Sequence, residues 1–207
     1  MRFQLSETPG GFLPAGILGT IACVQITRAG LLIRDWQPED AAALAENAND
    51  RRIWRNLRDR FPHPYGLADA EAFIAMVRAM EPPTFFAIVI DGRVGGGIGY
   101  TRHDDVERIS VEIGYYVGVR YWGRGIATAA LIAVTNYAFE IHPDLRRIYA
   151  VPYAWSGASA RVLEKAGYRL EGRMRESAIK DGEVTDQLMY AILRDEAAMI
   201  RPVGGAK

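Results

Sequence analysis

The chain is 207 residues long and 49% hydrophobic, enough for one domain with a full core. Lys plus Arg and Asp plus Glu each number 25, so the formal net charge is zero and no electrostatic case exists for nucleic acid or an anionic membrane as the main partner. A single cysteine, Cys23, excludes an internal disulfide and fits a reducing, cytoplasmic compartment.

Residues 12–24 are apolar but too short to span a bilayer, and Gly10, Gly11, Pro14, Gly16 and Gly19 oppose a helix there. Only Arg2 precedes the segment, with Glu7 against it. Residues 1–28 therefore read as an untargeted, peripheral extension rather than a cleaved signal. The folded domain is expected over 29–201, with a tail at 202–207.

Residues 31–33 form a short strand. Gln37, Pro38, Glu39 and Asp40 start a helix that runs to about Ala48, with proline early and acids in the first turn. Residues 61–66 (Phe-Pro-His-Pro-Tyr-Gly) are a proline-stiffened loop. A second helix follows at 69–80, with Ala70, Phe73, Ile74 and Val77 on one face. Strands at 84–90 and 94–100 flank an Asp91-Gly92 hairpin turn, and a third strand covers 109–117. A long helix at 126–139 and a strand at 148–152 come next. Ser156 is placed to cap a helix to Ala166, and Gly167 to end it in the left-handed conformation. Strands at 172–179 and 184–193 close on Asp181-Gly182. The order, antiparallel hairpins followed by β-α-β-α and a last hairpin, predicts one α/β sandwich with a mixed sheet.

Between the strand at 109–117 and the helix at 126–139 lies Arg120-Tyr121-Trp122-Gly123-Arg124-Gly125. This is the layout of an anion-binding turn: free N–H groups meet the positive end of a helix dipole, and glycines let oxygens approach the backbone. No Gly-Lys-Ser/Thr follows, which excludes a Walker loop, and the dinucleotide Gly-x-Gly-x-x-Gly spacing is missing. Gly95-Gly96-Gly97-Ile98-Gly99 sits inside a hairpin strand, so it reads as a bulge or as room for something packed close.

Arg120, Gly123 and Gly125 make the turn resemble the acyl-CoA pyrophosphate loop of GNAT-type N-acetyltransferases, Arg/Gln-x-x-Gly-x-Gly/Ala. Glu112-Ile113-Gly114-Tyr115, Tyr121-Trp122-Gly123, residues 158–168, Glu171-Gly172-Arg173, and residues 62–65 with Asp69-Ala70 resemble the branch of ribosomal-protein alanine N-acetyltransferases. The similarity runs from about Ala29 to Asp195. It implies a single-domain GNAT fold: a mixed, mostly antiparallel sheet flanked by helices, with a V-shaped split near the acyl-CoA site. It implies acetyl-CoA as co-substrate, no metal, and a small-molecule or peptide amine as acceptor, and it allows a homodimer.

The same resemblance implies CoA contacts along Tyr116, Val117, Gly118, Val119 and Arg120, then Gly123, Arg124, Gly125, Ile126, Ala127 and Thr128. A strand N–H near Val117 is the expected oxyanion donor. Ser156 stands where the family often has Asn. Ser159 corresponds to a serine proposed to protonate the leaving thiolate; its plainer reading is hydrogen bonding at the helix start. The glutamate paired with that serine falls at Ala178, and the tyrosine acid of other members falls at Leu163, so the usual acid/base positions are partly empty. Glu112 is the remaining base candidate, acting through water, or else a half-buried carboxylate paired with an arginine. His63 and Tyr65 lie on the acceptor side. Arg51, Arg52, Arg55, Arg58 and Arg60 form a solvated helix face or attract an acidic acceptor. The histidines show no metal-ligand spacing. A CoA-binding sensor with weak or no catalysis is the alternative to an enzyme.

Overall fold

The computed structural model describes residues 31–199. The expected extension at 1–28, Cys23 and the tail at 202–207 lie outside them. The elements in order are β1 (Leu31–Asp35), α1 (Ala41–Ala48), α2 (Arg51–Trp54), α3 (Leu67–Arg78), β2 (Phe85–Ile90), β3 (Arg93–Arg102), β4 (Ser110–Val117), α4 (Ile126–Ile141), β5 (Arg147–Ala150), α5 (Gly157–Lys165), β6 (Arg169–Lys180), β7 (Glu183–Leu193) and α6 (Arg194–Ala197). The strands form one seven-stranded sheet in the order β1-β2-β3-β4-β5-β7-β6. Every pairing is antiparallel except β4 with β5. This is the mixed, mostly antiparallel sheet that the sequence predicts.

Both hairpin turns follow their sequence. Asp91 and Gly92 have φ of 50° and 80°, and Asp181 and Gly182 have 57° and 79°, the left-handed pair a two-residue hairpin needs. The N-terminal helix begins as a single tight turn, Pro38–Asp40, before α1. Asp40 is buried there: it accepts the Gln37 N–H at 2.8 Å and takes Arg34 at 2.7 and 2.8 Å.

The sheet is covered on both faces. On one, α4 packs Ala130, Leu131, Val134 and Ala138 against Val111, Ile113 and Ile148. On the other, α1 and α3 bury Leu44, Ala48, Ala70, Ile74 and Val77 against Trp36, Ala87 and Val89. The glycine run of β3 makes the second layer fit. A Cβ on Gly97 would lie 3.0 Å from the rings of both Trp36 and Tyr116, and on the α4 side one on Gly95 would lie 2.6 Å from the Tyr121 ring. The glycines are thus room for packed aromatics.

The feature that shapes the site is a split. β4 and β5 pair only from Ser110↔Arg147 to Glu112↔Tyr149. β4 continues along β3 to Val117↔Gly96. Residues 113–117 therefore have a sheet neighbour on one side only, and their other edge is open.

A polar group at the far end of the sheet sets a pH dependence. His142 is buried, its Nδ1 2.8 Å from Arg102 and its Nε2 3.1 Å from the Tyr100 hydroxyl. Arg102 can only donate, so Nδ1 accepts and the ring proton sits on Nε2. Burial, then the Arg102 charge, lower the His142 pKa, with Asp144 opposing. The neutral ring is thus favoured in the folded state. Its contribution is present above the unfolded value of 6.5 and is lost as pH falls through that value towards the folded one. The melting temperature is expected to drop between about pH 7.5 and about pH 5. His142→Gln, which keeps one acceptor and one donor, should flatten that drop in thermal melts.

Candidate active site

The open edge of β4 runs into the glycine turn. Gly118 N–H bonds the Gly95 carbonyl at 2.7 Å, the chain makes a tight turn at Val119–Tyr121, and the Trp122 indole N–H bonds the Val117 carbonyl at 2.7 Å. A side chain at Gly118 would meet Asn47 Oδ1 at 2.5 Å and force the buried, hydrogen-bonded Asn47 to shift. Gly123 and Gly125 both have φ of 76°, the left-handed region glycine adopts without strain. Gly125 is the N-cap of α4, whose first turn carries no acid. The N–H groups at the start of this 16-residue helix have no intrahelical acceptor and point out of its positive end.

This turn forms one wall of a cleft of about 360 Å³. Tyr115, Tyr116 and Val117 of β4 lie behind it, Ser156, Ala158, Ser159, Arg161, Val162 and Lys165 of α5 form the opposite wall, and Arg52, Ile53, Asn56 and Leu57 close one end. The lining includes the cations Arg52, Arg161 and Lys165 and no carboxylate. Arg52 is held by Asp50 at 2.7 Å, whereas Arg161 and Lys165, one helical turn apart, have no acid partner among the described residues.

Backbone alternation shows what the open edge offers. In an antiparallel pair successive residues point their N–H groups to opposite sides. Gly118 N–H is taken by β3, so Val117 N–H faces the split.

The sequence-predicted residues fall into three groups. Tyr116, Val117, Gly123, Gly125, Ile126, Ala127, Thr128, Ser156 and Ser159 come together along the cleft. Ser156 is the N-cap of α5, but its side chain makes no cap hydrogen bond. The expected side-chain cap is thus corrected, and the hydroxyl is left facing the cleft. Gly118, Val119, Arg120 and Arg124 lie behind the turn. Arg120 reaches Glu46 at 3.1 Å and Asn47 at 3.0 Å, and Arg124 reaches Asp91 at 3.1 Å. Both guanidiniums lie on the Tyr121 ring, at 5.2 and 5.7 Å. The arginines brace the turn rather than line the cleft.

Glu112, His63 and Tyr65 sit on the α1–α3 side. Glu112 is half-buried at the last β4–β5 rung and paired with Arg58. His63 is exposed and stacks on Trp54 at 5.5 Å. Tyr65 is 4% exposed and stacked on Phe61 at 4.5 Å, and burial pushes its hydroxyl up to about 12. Tyr65 packs in the α1–α3 core and is not among the residues lining the cleft. The arginine-rich stretch begins on the short helix α2 and runs past it, and four of its charges are in ion pairs: Arg51 with Asp181, Arg52 with Asp50 at 2.7 Å, Arg55 with Glu183 at 3.8 Å, and Arg58 with Glu112.

Sequence reasoning gave no site role to several cleft residues, Tyr115, Asn56, Arg161 and Lys165 among them. Tyr115 donates to the Ser159 carbonyl at 3.4 Å, and burial raises its pKa, so the hydroxyl stays protonated. The alternation of β4, with Val111, Ile113 and Val117 buried, could have marked Tyr115 as facing the same side.

The split above a glycine turn and a helix start leaves a free strand edge and free N–H groups side by side. The family model described as acetyltransferase (GNAT) domain matches residues 30–169. The uncharacterized N-acetyltransferase YnaD of Bacillus subtilis is 29% identical over 178 residues, covering 84% of this chain and 99% of that protein. The [ribosomal protein uS5]-alanine N-acetyltransferase of Escherichia coli is 25% identical over 186 residues, covering 86% and 94%. Among solved structures, Mycobacterium smegmatis RimJ in complex with CoA-disulfide superposes with a TM-score of 0.71 at 26% identity, covering 80% of this chain and 83% of that one. The chain belongs to the GNAT acetyltransferase family.

Proposed function

We propose that the protein transfers the acetyl group of acetyl-CoA to a primary amine, by direct attack of the amine on the thioester. The observation that carries this reading is the cleft itself. An unpaired strand edge leads to unpaired N–H groups at a helix start, beside cations with no carboxylate among the lining residues. A CoA molecule has matching parts: a thin amide-bearing arm that can add to a strand edge, and phosphates that suit a helix N-terminus.

In this reading residues 113–117 pair with the arm and the turn at 123–128 holds the pyrophosphate. Val117 N–H, facing the split, stabilises the developing oxyanion. Ser156 contacts the arm, and Ser159 protonates the departing thiolate, with the Tyr115 hydroxyl tied to the same residue. Glu112 collects the amine's proton: Arg58 occupies Oε1, and Oε2 has no hydrogen bond among the described residues. The acceptor enters from the side of α2 and the β6–β7 hairpin. A protein N-terminal amine is the first candidate, because a relative bears the name of a ribosomal-protein alanine acetyltransferase.

The test is acetyl-CoA turnover against peptides with N-terminal alanine, a polyamine, an aminoglycoside and free amino acids. Release of free CoA dependent on one of these amines is expected. CoA binding with no turnover on any of them would sink the enzyme reading.

Arg161 and Lys165 give a second, separable prediction. Changing both to glutamate should weaken CoA binding about tenfold, and the loss should shrink at high salt. Calorimetric titration at two ionic strengths checks this, and an unchanged affinity would place both side chains outside the phosphate field.

A further inference from the structure

The mechanism above leaves a proton on Glu112, and the structure holds a group beside it that no step has used. Tyr149 is the Cα partner of Glu112 on the last β4–β5 rung. Residues in register on neighbouring strands project to the same face, so both side chains stand on the acceptor side of the sheet. His103, just past the end of β3, shares that face: Thr101 is opposite Glu112, and His103 is two residues on. Its Nε2 lies 2.7 Å from the Tyr149 hydroxyl, with the rings stacked at 5.7 Å and an interplanar angle of 9°. Next along β4, a Cβ on Gly114 would find no atom within 4 Å, so open space lies beside the Glu112–Tyr149 rung. The open slot and the carboxylate thus share a face with the hydrogen-bonded phenol–imidazole pair.

We propose that Tyr149 and His103 form a proton exit from the acceptor site, carrying away the proton that Glu112 takes from the incoming ammonium. The inference rests on the acetyltransferase reading. The ammonium gives one proton to Glu112 and becomes the free amine. Glu112 and Tyr149 share no hydrogen bond, so protonated Glu112 passes it through a bridging water to the Tyr149 oxygen while the Tyr149 hydroxyl proton moves to His103 Nε2. Glu112 is again a carboxylate, Tyr149 again a phenol, and His103 an imidazolium that releases the proton to water. The amine then forms the C–N bond, the C–S bond breaks, and the nitrogen's second proton balances the one the thiolate takes up.

The pair sits among charges suited to this traffic. Glu112 and Glu107 face Tyr149 as anions, and Arg58 and Arg147 as cations, with the Arg147 guanidinium 5.0 Å from its ring and itself paired with Glu171. Burial raises the Tyr149 pKa, so the phenol relays a proton by exchange rather than by ionising. The competing explanation is a brace tying the end of β3 to β5.

The test uses the full chain, acetyl-CoA and the amine from the panel that gives turnover. Tyr149→Phe keeps the ring and its stack, and is expected to lower kcat about tenfold with the KM for acetyl-CoA unchanged. His103→Ala should lose the same factor, the double variant should be no worse than either single one, and added imidazole should restore part of the His103→Ala rate. His103→Gln keeps a hydrogen-bond partner for Tyr149: a brace predicts wild-type kcat, a relay predicts the alanine rate. Wild-type kcat and pH profile in Tyr149→Phe, additive losses in the double variant, full recovery by glutamine, or no response to imidazole would each overturn the relay alone. Absence of wild-type turnover on every amine would overturn the acetyltransferase reading and the relay with it.

Discussion

Aspartate at position 125 is expected to abolish CoA binding while leaving the domain folded. A Cβ on Gly125 would meet nothing within 4 Å, so no neighbour must move. The φ of 76° is left-handed, which costs a non-glycine residue about 1 kcal/mol, least for Asp and Asn. An acid at a helix N-cap is otherwise favourable, which offsets part of that cost. The carboxylate would, however, stand where the pyrophosphate is proposed to bind. Like charges about 4 Å apart at an effective dielectric of about 20 repel by about 4 kcal/mol, a loss of about a thousandfold in affinity. Calorimetry with CoA and a thermal melt measure both halves of the expectation. Wild-type affinity would remove the turn from the site.

The other large effect is expected at Gly96, from sterics rather than charge. An alanine Cβ there would lie 2.4 Å from the Tyr116 carbonyl oxygen and 3.1 Å from Val117 Cα. Those are backbone atoms of the strand that carries the open edge, so the strand itself must shift. Overpacking of this kind costs about 3 kcal/mol, about 10 °C in melting temperature for a chain of this size. The shift would also displace Val117 N–H, so kcat should fall further than the stability loss alone explains. Gly172→Ala is the control: its Cβ meets nothing within 4 Å, and its melting temperature should match the wild type. A Gly96→Ala protein as stable as that control would show that β4 yields more easily than its packing suggests.

The parts of the fold carried by local pattern were legible. Asp91-Gly92, Asp181-Gly182 and Gly167 predict their turns because left-handed backbone is a property of single residues. The strand before the glycine turn and α4 after it follow from runs of apolar side chains. What stayed hidden depends on pairs far apart in the chain. Lys180 is 0% exposed, with Nζ 3.7 Å from the Trp54 ring centroid and 2.6 Å from Asp59, a partner 121 residues away. Nothing in the hairpin around Lys180 marks it as buried, since lysine next to a turn is ordinarily solvated. The arginines at 51–58 read as a helix face for the same reason: their acids, Asp181, Glu183 and Glu112, sit on other strands. The site was legible where it is made of backbone, at Gly123 and Gly125, and less so where it is made of side chains. Arg120 and Arg124 were drawn towards phosphate by their place in the motif, yet their guanidiniums find acids and a tyrosine ring behind the turn.

That division bears on how such a protein can change over time. The proposed donor half is written in glycine positions and strand register, where a substitution is expected to cost binding, as at Gly125, or stability, as at Gly96. The side proposed to admit the acceptor is joined by exposed contacts of Arg51 and Arg55 with the β6–β7 hairpin, Arg51–Asp181 and Arg55–Glu183, each worth about 1 kcal/mol or less. Mutations there are nearly neutral for stability. In the proposed reading, a duplicated copy of the chain can therefore drift towards a new amine one residue at a time, while its thioester chemistry is inherited whole.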